Sequence, residues 1–296
     1  MRRGPAGGTV ARLLMHGIGR LRLVAGGMAR LEAEVLLARA ARVRREWLMA
    51  HPEEVLRPGA ARWYAAAVER RRTERVPVAY LTGEREFMGL RFAMRPGVFI
   101  PRPETEGLVE RVEAWLRPRL PLSPRDIVVD ACTGSGAIAV SLARRLRVRV
   151  LAIDLSADAV ALARSNARRL GVGALVRVRE GDGLPVPGGS SRVVAVVSNP
   201  PYVRAALWSR LAPDIRGHEP RRALTAGPDG LTVIRRLLRQ AGTRVMPGGL
   251  VALEIAPGQR RCLLALLGRD PWTGGRVECD LAGRVRYALA LRKAAQ

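Results

Sequence analysis

Lysine is nearly missing from these 296 residues, for Lys293 is the single lysine among 51 basic side chains. Cysteine is scarce as well. Cys132, Cys262 and Cys279 are odd in number and show no paired metal-ligand spacing, which argues against a disulfide framework and against a zinc site. No apolar run reaches the roughly 18 residues of a membrane span before Arg, Asp or Glu interrupts it. Near the start, Arg12, Arg20 and Arg22 break the stretch a signal peptide would require. A GK[ST] phosphate loop, an internal repeat and a low-complexity tract are all missing. His16, His51 and His218 lie scattered, as surface or satisfied core residues do. The expectation is a cytoplasmic protein that uses neither membrane nor metal.

The formal net charge is +25. Such an excess suits a weak contact with RNA or the ribosome surface, and it equally suits a solvated arginine coat produced by biased codon usage. Residues 1–75 hold 16 Arg against 7 acids, only modestly above the rest.

Two textures divide the chain. From about residue 9 to 74, "LEAEVLLARAARV" and "ARWYAAAVERRR" place apolar residues at three- and four-residue spacing, the mark of a small helical bundle. Pro58 and Gly59 are expected to separate two of its helices, and Val76-Pro77 to close the last. "VAYLTGEREFMGLRFAM" reads as a β-hairpin of two extended runs around Gly83 and Glu84. Beyond residue 99, "DIVVDA", "VRVLAID", "VVAVVS" and "GLVALEI" are near-continuous aliphatic runs alternating with helical patterns. Strands covered on both faces have this composition, so an α/β fold with a mainly parallel sheet is expected. Ser156 caps one helix that stops at Gly171, and "RVECDLAGRVRYALALR" gives an antiparallel finish. The expected domains are a helical unit at 1–75, a hairpin linker at 76–98 and an α/β domain at 99–296.

"VVDACTGSGAIAVSLA" leaves a buried strand, turns through Gly134 and Gly136 and enters a helix, so backbone N–H groups approach whatever lies beyond the strand. Asp154 ends the next strand, where an acid accepts from both hydroxyls of a ribose. Asp182, in "EGDGL", is placed to accept from an adenine amine. Asp130 before the glycines would repel a pyrophosphate, so a nucleoside without phosphates fits best. Together these features resemble the class I S-adenosylmethionine (SAM) methyltransferases, in which the first acid faces the amino-acid half of the cofactor. The expected cofactor contacts are Asp130, the turn Cys132, Thr133, Gly134, Ser135 and Gly136, then Asp154, Asp182, Gly183 and Asn199.

In a doubly wound sheet, ligands lie beyond the strand ends where strand order reverses, which brings "NPPY" at 199–202 beside that turn. Pro201 has no N–H and leaves the Pro200 carbonyl free to accept; the Asn199 side chain adds a second acceptor, and Tyr202 a flat wall. Two acceptors suit a planar –NH2 group. Gripping its hydrogens orients an otherwise delocalised lone pair for in-line attack on a sulfonium methyl. The tetrapeptide resembles the motif of amino-methyltransferases acting on adenine, guanine or glutamine nitrogen.

"YLTGEREFMGLRFAMRPGVFIPRPETEGLVE", "DACTGSGAIA", "AIDLSADAVALARSNARRLG", "SNPPYV" and "HEPRRALTAGPDGL" together resemble the HemK/PrmC family of release factor glutamine-N5 methyltransferases, over roughly residues 30–290. The resemblance implies a seven-stranded Rossmann-like catalytic domain and a helical N-terminal domain that helps to hold the protein substrate, a class 1 release factor methylated on the glutamine of its Gly-Gly-Gln tip. It assigns Asn199, Pro200, Pro201 and Tyr202 to the glutamine pocket. An RNA or DNA amino-methyltransferase, acting on adenine N6 or guanine N2, is the alternative; a non-catalytic ribosome-associated module is a third reading. Cys132 stands where the family often has glycine, and Gly183 where an aromatic is common. Arg102 and Glu104 of "IPRPETE" are expected to dock the hairpin onto the sheet. A monomer is expected.

Overall fold

The computed structural model describes residues 8–184 and 191–294; the basic tip at Arg2 and Arg3 lies outside them. Contacts divide the chain into one unit of Met1–Glu84 with Ala212–His218 and a second of Arg85–Leu211 with Glu219–Gln296.

The first unit contains α1 (Val10–Ala25), α2 (Ala29–Ala41), α3 (Arg45–Ala50), α4 (Pro58–Thr73) and α5 (Val78–Thr82). Thr9 caps α1 by accepting from the Arg12 amide at 3.4 Å. Leu13, Leu21, Leu36, Leu37 and Tyr64 are fully buried, each leucine worth about 1.5–3 kcal/mol against exposure. α1 approaches α4 closely at Gly17, where a Cβ would stand 1.8 Å from the Tyr64 hydroxyl. Arg71 is buried too. Its guanidinium grips both Glu32 oxygens at 2.8 and 2.9 Å and reaches Asp214 at 3.4 Å.

Two expectations are corrected here. Pro58 and Gly59 do not separate helices but start α4, because proline at the first helical position forfeits an N–H that has no partner there anyway. Residues 78–82 are helical rather than extended, and Gly83, at φ 75°, is the left-handed residue that ends α5. The hairpin begins only afterwards, with β1 (Glu84–Phe87) and β2 (Leu90–Ala93) joined through Met88 and Gly89, at φ 52° and 74°. Two consecutive positive φ values match the twist of a two-residue hairpin.

The second unit continues with α6 (Glu106–Leu116), β3 (Asp126–Ala131), α7 (Ala137–Leu146), β4 (Val150–Asp154), α8 (Ala157–Arg169), β5 (Val176–Glu180) and β6 (Arg192–Ser198). After α9 (Pro213–His218), which belongs to the first unit, come α10 (Thr232–Arg244), β7 (Val245–Glu254), α11 (Arg260–Leu267), β8 (Trp272–Cys279) and β9 (Val285–Arg292). The sheet runs β5-β4-β3-β6-β7-β9-β8, parallel except for β9, which is antiparallel to both neighbours. Every residue of the central strand β3 is buried, the aliphatic Ile127, Val128, Val129 and Ala131 together with Asp126 and Asp130. Strand order reverses between β3 and β6, so their C-terminal ends open a crevice.

Candidate active site

Register sets the site. Asp130 lies opposite Val197 and Ala131 opposite Ser198, whose hydroxyl donates to the Ala131 carbonyl at 2.6 Å. The turn after β3 and the tetrapeptide after β6 therefore leave the sheet side by side. Between them is a cleft, partly open to solvent, lined by Cys132, Thr133, Gly134, Ser135, Asp154, Asp182, Gly183, Asn199 and Pro201 among others. Asp130, Gly136, Pro200 and Tyr202 are not on its wall.

Asp130 is displaced from its expected contact with a ligand. Fully buried beneath the turn, it accepts from the Thr133 hydroxyl at 2.6 Å and the Ala139 amide at 3.0 Å through Oδ2, while Oδ1 has no partner. It shapes the turn from below. Burial pushes its carboxyl up to about 7. Gly136, at φ 83°, starts α7 and packs on α8, where a Cβ would meet Ala163 at 3.2 Å. Cys132 sits at φ 57°, a left-handed backbone that costs a side-chain-bearing residue about 1–2 kcal/mol. Burial pushes its thiol up to about 12, so it is not a nucleophile.

Asp154 ties the turn to α8, with Oδ2 accepting from the Gly134 amide at 2.8 Å and Oδ1 from Ser156 at 2.9 Å. Each oxygen keeps a further lone pair for a hydroxyl in the cleft, and burial raises the pKa of the group. Asp182 has its own partner, for Arg236 holds both carboxylate oxygens at 2.6 Å. Gly183, at φ 88°, leaves room for Gln240: a Cβ would stand 2.4 Å from Gln240 Oε1, and that oxygen also accepts from the Leu184 amide at 2.8 Å. The amide of Gln240 fills space that an aromatic at 183 would need. Leu155, 57% exposed, is the apolar wall next to Asp154.

Gly134 faces open space at φ 57°, the condition for a ligand to press against the turn backbone. Asp130 and Asp154 stand at or under this turn, while Arg236 and Arg222 on the cleft wall are turned onto Asp182 and onto the Ser156 hydroxyl at 2.9 Å. That set of acceptors fits a hydroxyl-rich, cationic nucleoside better than a phosphate.

At the far end, Asn199 Nδ2 donates to the Thr105 hydroxyl at 2.9 Å, Thr105 donates to Glu254 Oε2 at 2.7 Å, and the Tyr202 hydroxyl donates to Glu254 Oε1 at 3.0 Å. Burial raises the Glu254 carboxyl and the Tyr202 phenol. Asn199 Oδ1 and the Pro200 carbonyl have no donor among the described residues. Residue-by-residue reading found neither Thr105 nor Glu254, which lie 94 and 55 positions from Asn199. A lone acid closing an aliphatic strand, "VALE", was the available signal for Glu254.

Arg102 and Glu104 do not dock the hairpin. Arg102 pairs with Glu219, which also accepts from the Ile100 amide at 3.2 Å, so this pair anchors the loop beside the cleft. The Glu104 carbonyl accepts from Tyr287 at 2.6 Å. The hairpin is held instead by Glu106, which accepts from the Met88 amide at 2.7 Å, and by Asn166. Fully buried, Asn166 bonds the Ala93 N–H and C=O at 2.8 and 3.1 Å and the Ser135 carbonyl at 2.9 Å.

Residues 12–83 match the PrmC N-terminal domain family and residues 128–216 a methyltransferase domain family. Release factor glutamine methyltransferases are similar along nearly the whole chain. That of Moorella thermoacetica is 44% identical, covering 92% of this chain and 95% of its own; that of Bordetella pertussis is 42% identical over 88% and 94%. The one from Nitratidesulfovibrio vulgaris is 36% identical over 97% of each. Among solved structures, the hMettl16 catalytic domain in complex with the MAT2A 3′UTR hairpin 6 aligns with a TM-score of 0.56 at 16% identity, over 80% of this chain and 82% of that one, a likeness of fold. The seven-stranded sheet is that of a class I SAM-dependent methyltransferase, and with these sequence matches the chain belongs to the release factor glutamine methyltransferase family.

Proposed function

We propose that the protein transfers a methyl group from SAM to the N5 amide nitrogen of the glutamine in the Gly-Gly-Gln tip of class 1 release factors. The observation that carries this reading is the Asn199 carboxamide, whose NH2 is committed to Thr105 and whose oxygen remains for a substrate N–H. The turn at 132–135, Asp154, Leu155 and the Asp182-Gly183 segment would hold SAM, with Asp154 taking the ribose through its free lone pairs. When bound, SAM supplies an electrophilic sulfonium methyl. Asn199 Oδ1 and the Pro200 carbonyl grip the two hydrogens of the glutamine amide, draw electron density onto nitrogen and aim its lone pair; Pro201 and the Tyr202 ring close the pocket. No strong base is required, because the proton leaves after transfer.

The helical residues 1–75 serve protein-substrate recognition, with 76–98 as linker and 99–296 as catalytic domain. A cytoplasmic monomer fits the same reading, and among the described residues no helix is long and apolar enough to cross a membrane. Weak RNA or ribosome contact would use the groove beside β5, where Arg149, Arg164, Arg168, Arg177 and Arg179 are exposed and none of the described lining residues is acidic. One assay tests the whole: labelled SAM with release factor and total RNA side by side. Label is expected on the Gly-Gly-Gln glutamine, and label on RNA alone would replace this reading with the amino-nucleotide one.

A further inference from the structure

The hydroxyl of Thr105 has one proton, and that proton is committed. Glu254 in its ionised form can only accept, and it receives Thr105 on one oxygen and Tyr202 on the other. Arg286 lies near enough to favour that anion, against the burial that opposes it. Thr105 Oγ1, its proton spent, can only accept. The carboxamide atom facing it at 2.9 Å must then be the NH2 of Asn199, whichever way an amide is drawn from shape alone. With the opposite polarity, Asn199 would present NH2 to the NH2 of the substrate, donor against donor.

We infer that Thr105 and Glu254 are positioning residues that set the polarity of the Asn199 carboxamide, so that its oxygen and never its NH2 meets the substrate amide. The inference rests on the amide-methylation reading above. The relay crosses three separate segments: Thr105 closes the short turn before α6, Glu254 ends β7, and Asn199 follows β6. Pairing of Ser198 with Leu253 holds the last two in step. Tyr202, by bonding the second Glu254 oxygen, keeps the carboxylate plane from turning away from Thr105.

Four variants decide it, each measured for single-turnover methylation of release factor, SAM affinity by calorimetry, melting temperature, and hydrogen exchange of the Asn199 side-chain amide. The Asn199 signal is identified by its loss in Asn199→Asp. Thr105→Val keeps the shape without the hydroxyl, and Glu254→Leu removes the acceptor that commits the Thr105 proton. Each is expected to slow transfer by about 100-fold while SAM affinity stays within about twofold, the signature of an interaction felt mainly at the transition state. The double variant is expected to be no slower than the slower single one, since the two act as one unit. Thr105→Ser should recover most of the rate. Exchange of the Asn199 amide protons should rise about tenfold or more in Thr105→Val, with no substrate present. A folded Thr105→Val enzyme that keeps its rate, or Asn199 amide exchange unchanged from wild type, overturns the relay. Failure of the wild type to methylate release factor overturns the functional reading instead, and the exchange measurement still decides the relay.

Discussion

Asn199 and Asp154 occupy one cleft but fail in opposite ways when shortened. Asn199→Ala removes the acceptor proposed to grip the substrate amide as its nitrogen pyramidalises, so turnover is expected to fall about 100-fold with SAM affinity nearly unchanged, read by single-turnover rates and calorimetry. Asp154→Ala loses the acceptor proposed for the ribose and also releases the Gly134 and Ser156 amides, so SAM affinity is expected to fall about 10- to 100-fold. Both positions are legible in sequence because each sits at a strand end inside a short motif. Asp130 shares that signal yet lies under the turn, since β-strand side chains alternate faces and the last positions of a strand are not equivalent. The partners Arg236, Glu254 and Glu219 were hidden for another reason: each meets the site across more than 50 residues of chain, where no local pattern records the pairing.

Elements were legible in proportion to how much of their pattern was burial. The aliphatic runs within β3, β6 and β7 announce a parallel sheet, and the Ser156 cap and Gly171 bound α8 as read. The hairpin was misplaced because glycine marks a left-handed residue without saying whether a helix end or a turn needs it; Gly83 serves the first and Gly89 the second. What couples the hairpin to the cofactor turn is Asn166. Replacing it with alanine leaves three backbone groups without this partner, the half-buried N–H and C=O of Ala93 and the buried C=O of Ser135, for an expected loss of about 2–4 kcal/mol in urea unfolding. A loss below about 0.5 kcal/mol would mean that the hairpin and turn hold their places without it.

Across the whole molecule, the buried acids give stability a definite dependence on pH. The Asp130 carboxyl lies near 7 in the folded chain against about 3.9 unfolded, so the native state binds its proton more tightly. The Asp130 contribution to unfolding free energy therefore falls as pH rises from about 4 to about 7, and Asp154 and Glu254, also raised by burial, act in the same direction. Glu34 and Glu113, which burial would raise but arginine partners hold below the ordinary carboxylate range, act oppositely at the acid end. Asp130→Asn should flatten part of that slope in thermal melts of the ligand-free protein; an unchanged slope would place the ionisation elsewhere. Composition pointed to the net charge of +25 but gave no hint that the first unit is built from two distant stretches.

That discontinuity bears on how such a chain can be cut and recombined. Arg71, sealed among helices contributed by the opening stretch, takes one of its two counter-ions from Asp214, more than a hundred positions downstream. A chimera that replaces residues 1–84 alone parts Arg71 from the helix that carries Asp214, and a single crossover cannot transplant the unit intact. Exchanging the whole first unit between relatives takes two splices, the second of them around residues 212–218.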